Sequence, residues 1–181
     1  MDFVQNFPFF SIIICMFSGI ISSVLSGKKA RNLCFCAVSI VTILSFCVLV
    51  YTVHTGEAYT YMMGHFPAPW GNEIRAGVLE GVLATTFSLI LLLSLISAYH
   101  RTAEDIERSK LNLFYLLVDL LLSSLLAIIY TNDLFTAYVF VEINTIAACG
   151  LIMIRQIGRT FGAAIKYMVM SLVGSGLFLI G

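Results

Sequence analysis

Residues 138–149 read YVFVEINTIAAC and place one glutamate, Glu142, in the middle of an apolar segment. The rest of the chain is equally apolar, because 60% of its 181 residues are hydrophobic and only 11% are charged. Soluble domains are about 45–50% apolar and about 25% charged. The composition therefore indicates an integral membrane protein, and Glu142 has to be explained inside a bilayer.

Charge-poor segments long enough to cross a bilayer occur six times in the chain. A transmembrane helix needs roughly 20 mostly apolar residues. The segments are residues 3–26, 32–53, 78–99, 111–130, 134–154 and 161–181. The first segment lacks the positive charge and the cleavage site of a secretory signal, so we expect it to stay as a helix. The sequence therefore predicts an all-α integral membrane protein with six transmembrane helices.

The basic residues predict the orientation of these helices, because cytoplasmic loops collect Lys and Arg. Eight of the ten Lys and Arg residues lie in the first, third and fifth loops, and the loops on the other side hold only Arg75. We therefore expect these three loops in the cytoplasm and both termini outside, in the plasma (inner) membrane of the cell.

Three ionisable residues lie within the predicted spans: Asp119, Glu142 and Lys166. At a rise of 1.5 Å per residue, they lie ~14, ~20 and ~10 Å from the cytoplasmic edge. A charge at the bilayer centre costs at least ~2.5 kcal/mol, so such groups usually face a protein interior and often mark an ion path. The three depths predict a ladder of groups for proton or cation translocation.

Each of these residues also has a structural interpretation. Glu142 is too deep to reach either surface, and Tyr138, Thr145 and Cys149 share its helix face, so it either titrates or joins helices as a neutral group. The lysine stem of Lys166 is long enough to reach the headgroups. Asp119, with Ser123 one turn further on, could equally be a hydrogen-bonded structural group.

The remaining motifs indicate no further chemistry. The five cysteines all lie in predicted spans, and the Cys34 and Cys36 pair lacks the spacing of a zinc site, so we expect packing residues and neither a metal nor a cofactor. The second loop, with its turn-forming glycines and prolines, predicts a short external hairpin, in which His65 is expected to be solvated. In the third loop, Glu104 and Arg108 form a solvated i,i+4 pair. No catalytic motif of a hydrolase or a nucleotide-binding loop is present.

Three segments resemble a known family: NDLFTAYVFVEINTIAACGLIMIR at 132–155, GAAIKYMVMSLVGSGLFLIG at 162–181 and MGHFPAPWGNEIR at 63–75. They are similar to the D subunits of Mrp-type cation/proton antiporters and to the antiporter-like subunits of respiratory complex I and membrane-bound hydrogenases. The resemblance covers the chain from about Tyr59 onward. It implies that Glu142 is an essential group of the proton path and that Lys166 is the lysine of the sixth helix. Gly77 and Asp119 depart from the family pattern.

The resemblance also implies a division of the chain and a larger assembly. Residues 1–110 would form helices 1–3, with an external hairpin at 54–77 and a cytoplasmic loop at 100–110. Residues 111–181 would begin the ion-translocating repeat with helices 4–6, three of the five helices of the first inverted repeat. The missing helices would come from another polypeptide, or the chain is a cut piece, and both interpretations stay open.

We therefore expect the N-terminal part of an ion-translocating subunit that carries protons, sodium or both. Its partners would be other membrane subunits of an Mrp-type or complex I-like assembly, including one that supplies the remaining antiporter helices. A non-conducting scaffold in the same kind of complex is the alternative, and a self-contained six-helix transporter is another.

The topology predicts which loops a membrane-impermeant thiol reagent reaches. In a cysteine-free background, a single cysteine at Ala58 should be labelled from outside, and one at Ser109 only from the cytoplasm. The reverse pattern would contradict the orientation.

Overall fold

The computed structural model describes residues 3–62, 71–99, 106–154 and 158–181, and it is predominantly helical. Six α-helices are present in this part of the chain: α1 (Phe7–Val24), α2 (Gly27–Thr55), α3 (Val78–Ala98), α4 (Leu111–Tyr130), α5 (Leu134–Met153) and α6 (Gly158–Ile180). Short 3-10 helices precede α1 at Phe3–Asn6 and α4 at Arg108–Lys110. Two strands, β1 (Tyr59–Met62) and β2 (Glu73–Ala76), lie between α2 and α3.

All six helices are long and apolar enough to cross a membrane, as the sequence predicts. The second differs from its predicted bounds, since α2 begins at Gly27 and not near residue 32. Lys28, Lys29 and Arg31 therefore lie in its first two turns and not in a loop. Long basic side chains at a helix end reach the headgroup region. The helix therefore extends beyond the apolar segment and includes these three charged residues.

Helices α1, α2 and α4 pack against one another and form the centre of the protein. Helix α3 lies beside α2, α5 packs on α4, and α6 packs on α5. The apolar side chains of α6 are largely exposed, including Met170, Leu177 and Ile180. The sixth helix is therefore attached to the rest of the chain along one face only.

Small side chains allow the central helices to approach closely. Cys15, Ser18 and Ser22 of α1 are buried, as are Ala30 and Cys34 of α2. Small residues at helix contacts are typical of membrane proteins, where close backbone packing replaces the hydrophobic driving force of water. Cysteine acts here as a small apolar residue, and the same holds for the buried Cys149 of α5.

The connection between α2 and α3 contains an antiparallel hairpin in which Tyr59 pairs with Ala76 and Met62 with Glu73. Gly56 ends α2 in a left-handed conformation with a φ of 71°, which only a residue without Cβ adopts at no cost. The hairpin is anchored to the turn between α4 and α5, because the Asn132 backbone N–H donates to the Glu73 carbonyl at 3.0 Å.

Two predicted features lie outside the described residues. They are the solvated His65 and the Glu104–Arg108 ion pair.

The hydrophobic packing of Ile74, which is 4% exposed, shows that the hairpin contributes to the core and does not merely cover it.

The close approach of α3 to α2 at Gly81 predicts that a larger residue at this position disrupts the packing of the two helices. A Cβ at Gly81 of α3 would lie 3.0 Å from the Leu49 Cα of α2, and backbone does not move aside as a flexible side chain does. Gly81→Ala should therefore destabilise the purified chain by about 1–3 kcal/mol in a detergent unfolding titration. Gly162→Ala, at a position with no other atom within 4 Å of the new Cβ, is the matched control. Equal unfolding midpoints for the two variants would contradict this packing.

Candidate functional site

Helix α5, which carries Glu142, begins at a capped N-terminus. Asp133 precedes the helix and accepts hydrogen bonds from the Thr136 hydroxyl at 2.6 Å and the Thr136 N–H at 2.9 Å. These two bonds, the hydroxyl first, favour the ionised carboxylate and hold the pKa of Asp133 below its usual range. The cap fixes the first turn of α5, and Glu142 follows nine residues, or about 13 Å, beyond it.

Among the described residues, three polar contacts join α5 to α6. Glu142 Oε1 lies in hydrogen-bond contact with the Ser175 hydroxyl. The hydroxyls of Thr145 and Ser171 are 2.9 Å apart, and the Cys149 thiol donates to the Ala164 carbonyl at 3.6 Å. The α5 residues lie three and four positions apart and so share one helix face. The polar stripe that the sequence predicts on this helix therefore faces α6, and we call these contacts the α5–α6 seam.

A cluster of small residues on the sixth helix predicts close approach by another helix. The small-residue face of the sixth helix comprises Ser171, Gly174, Ser175 and Gly176. The structure divides it, because both serines contact α5 whereas a Cβ on either glycine would meet no other atom within 4 Å. The serines therefore bind the polar stripe of α5, and only the glycines leave an open surface.

Glu142 is half-buried, and the Ser175 hydroxyl contacts it. Among the side chains that the structure describes, no lysine or arginine forms an ion pair with it. An isolated carboxylate is costly in an apolar environment, whereas the protonated carboxyl is tolerated. A carboxyl group in a span therefore depends on hydrogen-bond partners, and Ser175 supplies one here.

A second polar contact holds α5 on its other side. The Ser124 hydroxyl of α4 donates to the Asn144 side-chain carbonyl at 3.2 Å, and Ser124 is fully buried. Asn144 comes two residues after Glu142, so the contact sets how α5 is rotated between α4 and α6. Sequence reasoning missed this pair, although an asparagine in mid-span is a signal for such a contact.

Asp119 lies at a different interface. It is 0% exposed, and its Oδ2 accepts a hydrogen bond of 2.7 Å from the Ser18 hydroxyl of α1. Its other oxygen, Oδ1, is buried and has no hydrogen-bond partner among the described residues, while the Cys34 thiol of α2 faces the carboxyl group. Gly19 permits this approach, because its missing Cβ would lie 3.4 Å from the Asp119 Cβ. Asp119 therefore joins α4 to α1 and α2, and sequence reasoning did not identify Ser18 as its partner.

Lys166 is exposed on α6. Ala164, which contacts α5, comes two residues earlier, and two residues rotate a helix by about 200°. Lys166 therefore lies on the face opposite the seam, and it precedes Ser175 by nine residues, about 13 Å along the axis. This position fits either a reach to the headgroups or a contact with a neighbouring helix.

The three predicted site residues thus occupy three separate places. Glu142 lies in the α5–α6 seam, Asp119 lies between α4 and α1, and Lys166 lies on the outer face of α6. Their depths predict a ladder of ionisable groups, but within the described part of the chain these three side chains do not contact one another. Depth along a helix is readable from the sequence, whereas the direction of a side chain depends on which helix packs against it.

A cleft of about 350 Å³ lies between α4, α5 and α6 at the end of the seam nearest the fifth loop. Lys110 lies at one end of it, and its amine is 2.9 Å from Glu107. This ion pair lowers the pKa of Glu107, a group outside the spans. The cleft reaches Cys149, two turns from Glu142, and its further lining includes Leu113, Leu117, Ile146, Gly150 and Met168.

The chemistry available at the seam is the binding and release of a proton. Carboxyl and hydroxyl groups donate and accept hydrogen bonds and exchange protons, and none of them needs a bound group to do so. Among the described residues, no group of three or more His, Cys, Asp and Glu side chains is placed to hold a metal ion.

The chain is similar to antiporter subunits of known sequence, although no model of a protein family matches it. It is 31% identical over 155 residues to the putative antiporter subunit mnhD2 of Staphylococcus haemolyticus, covering 86% of this chain and 30% of that protein. It is 31% identical over 179 residues to the D subunit of the Na(+)/H(+) antiporter of Bacillus subtilis, covering 98% of this chain and 36% of that protein. The chain thus spans about a third of the length of these relatives.

A solved structure shows the same fold. A chain of the membrane-bound sulfane sulfur reductase (MBS), an archaeal respiratory membrane complex, superposes with a TM-score of 0.78. The match covers 98% of this chain and 35% of that one, at 22% sequence identity. Together with the sequence relatives, these helices make this chain a multi-pass membrane protein. It belongs to the family of Mrp-type antiporter D subunits, whose N-terminal part it matches.

Proposed function

We propose that the chain forms part of a proton-translocating subunit and that Glu142 takes up and releases the transported proton. The observation that carries the proposal is the position of this carboxyl group on an interhelical seam, in contact with the Ser175 hydroxyl and without an ion-pair partner among the described side chains. The relative from Bacillus subtilis, which is named as the D subunit of a Na(+)/H(+) antiporter, supports the same class of function. We further propose that the subunit exchanges protons for sodium and that it does so within an assembly in the plasma membrane. Both of its termini would lie outside.

The ionised form of Glu142 needs a positive partner that is brought close during the transport cycle. Burial disfavours a carboxylate that has no opposite charge nearby, and a carboxyl group that never ionises transports no proton. We propose that a lysine on a helix of the remaining subunit is this partner, and the open glycine face of α6 offers room for such a helix. We assign the switching of Glu142 to the approach and withdrawal of that lysine.

Lys166 and Asp119 have secondary places in this proposal. Lys166 stands on the outer face of α6, where it attracts or repels charge on the cytoplasmic approach to Glu142. Asp119 is a second protonatable group, in the α1–α4 interface and out of contact with the seam. Protons approach Glu142 through the cleft that ends at Cys149 and then along the hydroxyls of the seam.

The exposed apolar surface of α6 supports the proposal that other membrane subunits are its partners. Leu177 is 66% exposed and Ile180 is 87% exposed. Exposure to lipid alone explains apolar side chains, but it does not explain the neighbouring glycines, which allow a second helix to approach closely. We propose that helices of the remaining antiporter subunit cover this face.

Removal of the titrating group tests the function. Glu142→Gln keeps the shape and hydrogen-bonding ability of the side chain, so the complex should assemble while ion-coupled proton transport in membrane vesicles is lost. The matched control is Glu57→Gln, which changes an exposed carboxyl group outside the spans and should leave transport unchanged. Transport is followed by a pH-sensitive dye after a sodium pulse.

The same experiment separates the conducting role from the scaffold. A non-conducting scaffold depends on the shape of Glu142 and not on its titration. Full transport by an assembled Glu142→Gln complex would therefore contradict the proposal and favour the scaffold.

A further inference from the structure

The Ser175 hydroxyl has more neighbours than it has protons. It contacts Glu142 Oε1 across the seam, and it lies 2.8 Å from the Ser171 carbonyl and 3.2 Å from the Leu172 carbonyl of its own helix. A serine hydroxyl carries one proton and two lone pairs, and a backbone carbonyl only accepts. Ser175 therefore donates to one of these three oxygens at a time.

This limit connects the direction of the Ser175 hydroxyl to the charge of Glu142. When Glu142 is protonated, its O–H donates to Ser175, and Ser175 donates to the Ser171 carbonyl, so every group is satisfied. When Glu142 is ionised, two unprotonated oxygens would face each other unless Ser175 turns its proton toward the carboxylate. The backbone carbonyl of Ser171 tolerates this loss, because the helix supplies its regular N–H partner.

We infer that Ser175 is a positioning residue that reverses its hydrogen bond with each protonation and deprotonation of Glu142. In the neutral state it accepts from Glu142, and in the ionised state it donates to it. Ser175 keeps its own proton throughout and only redirects it, while the proton that Glu142 loses passes to a water molecule or to an approaching base. The inference rests on the proposed function of Glu142 and adds the residue of α6 that donates a hydrogen bond to the ionised form when the cation is near.

The described surroundings leave Ser175 as the polar partner of Glu142 on α6. On α4, the titratable groups Tyr115, Asp119 and Tyr130 are buried against α1 and α2. On α6, Lys166 and Tyr167 are exposed, and on α5 itself Tyr138 lies one turn before Glu142. Hydrogen bonds to a charged acceptor are stronger than those between neutral groups, so the loss of this donor selectively disfavours the ionised state.

Infrared titration of the reconstituted complex tests the inference without reference to transport. The protonated carboxyl of Glu142 gives a C=O band that is assigned by its disappearance in Glu142→Gln. In Ser175→Ala the midpoint at which this band is lost should rise by about one pH unit, because the ionised form loses a hydrogen-bond donor. The frequency of the band should also change, because the acceptor of the carboxyl O–H is gone.

Two further variants separate this role from packing. Ser175→Thr keeps a hydroxyl at the same place and should restore the wild-type midpoint. Ser171→Ala removes the neighbouring hydroxyl, which contacts Thr145 and not Glu142, but keeps the Ser171 backbone carbonyl. It should leave the midpoint unchanged.

The outcomes distinguish this inference from the proposed function. An unchanged midpoint and band frequency in Ser175→Ala, or an equal shift in Ser171→Ala, would overturn the role of Ser175. If Ser175→Ala shifts the midpoint as expected while Glu142→Gln transports at the full rate, the hydrogen-bond reversal stands and the translocation role of Glu142 falls.

Discussion

A carboxyl group within a bilayer has no water to satisfy it, so its hydrogen-bond partners must come from neighbouring helices. This constraint decides which helix faces meet in the present chain. Glu142 of α5 requires a hydrogen-bond partner, and Ser175 of α6 supplies one, while Ser171, one helical turn earlier, contacts Thr145. Asp119 of α4 requires a hydrogen-bond donor from another helix, and Ser18 of α1 supplies it. The rotation of four helices follows from these two contacts and from the Ser124–Asn144 bond between them.

The two carboxyl groups share this requirement but differ in their surroundings. Asp119 is 0% exposed, in the interface that α4 forms with α1 and α2. Glu142 is half-buried, and it lies between α5 and α6, where the outer face of α6 is exposed. A proton exchanges more readily where the surrounding structure can move or admit a partner, because well-packed interiors do not rearrange at low cost. On this ground we propose that the transport chemistry takes place at the α5–α6 seam and that the α1–α4 contact holds helices together.

The sequence predicts the fold well and the site only in part, for physical reasons. Span length and hydropathy are local properties, so the six helices follow directly from the residues. The start of α2 at Gly27 does not, because lysines at a helix end lie at the headgroups and leave the helix intact. Glu142 stands out by its depth alone. The partners Ser18 and Asn144, the outward face of Lys166 and the division of the small-residue face depend on which helices pack together, and no local pattern contains that information.

The central claim is that Glu142 gains and loses a proton within the membrane, and its reaction with dicyclohexylcarbodiimide tests this most directly. The reagent enters lipid and modifies protonated carboxyl groups. Mass spectrometry of the peptide that contains Glu142 should show strong modification at low pH and a progressive loss as the pH is raised through the transport range. Modification to the same extent at every pH, in the assembled complex, would show a permanently neutral group and contradict the account.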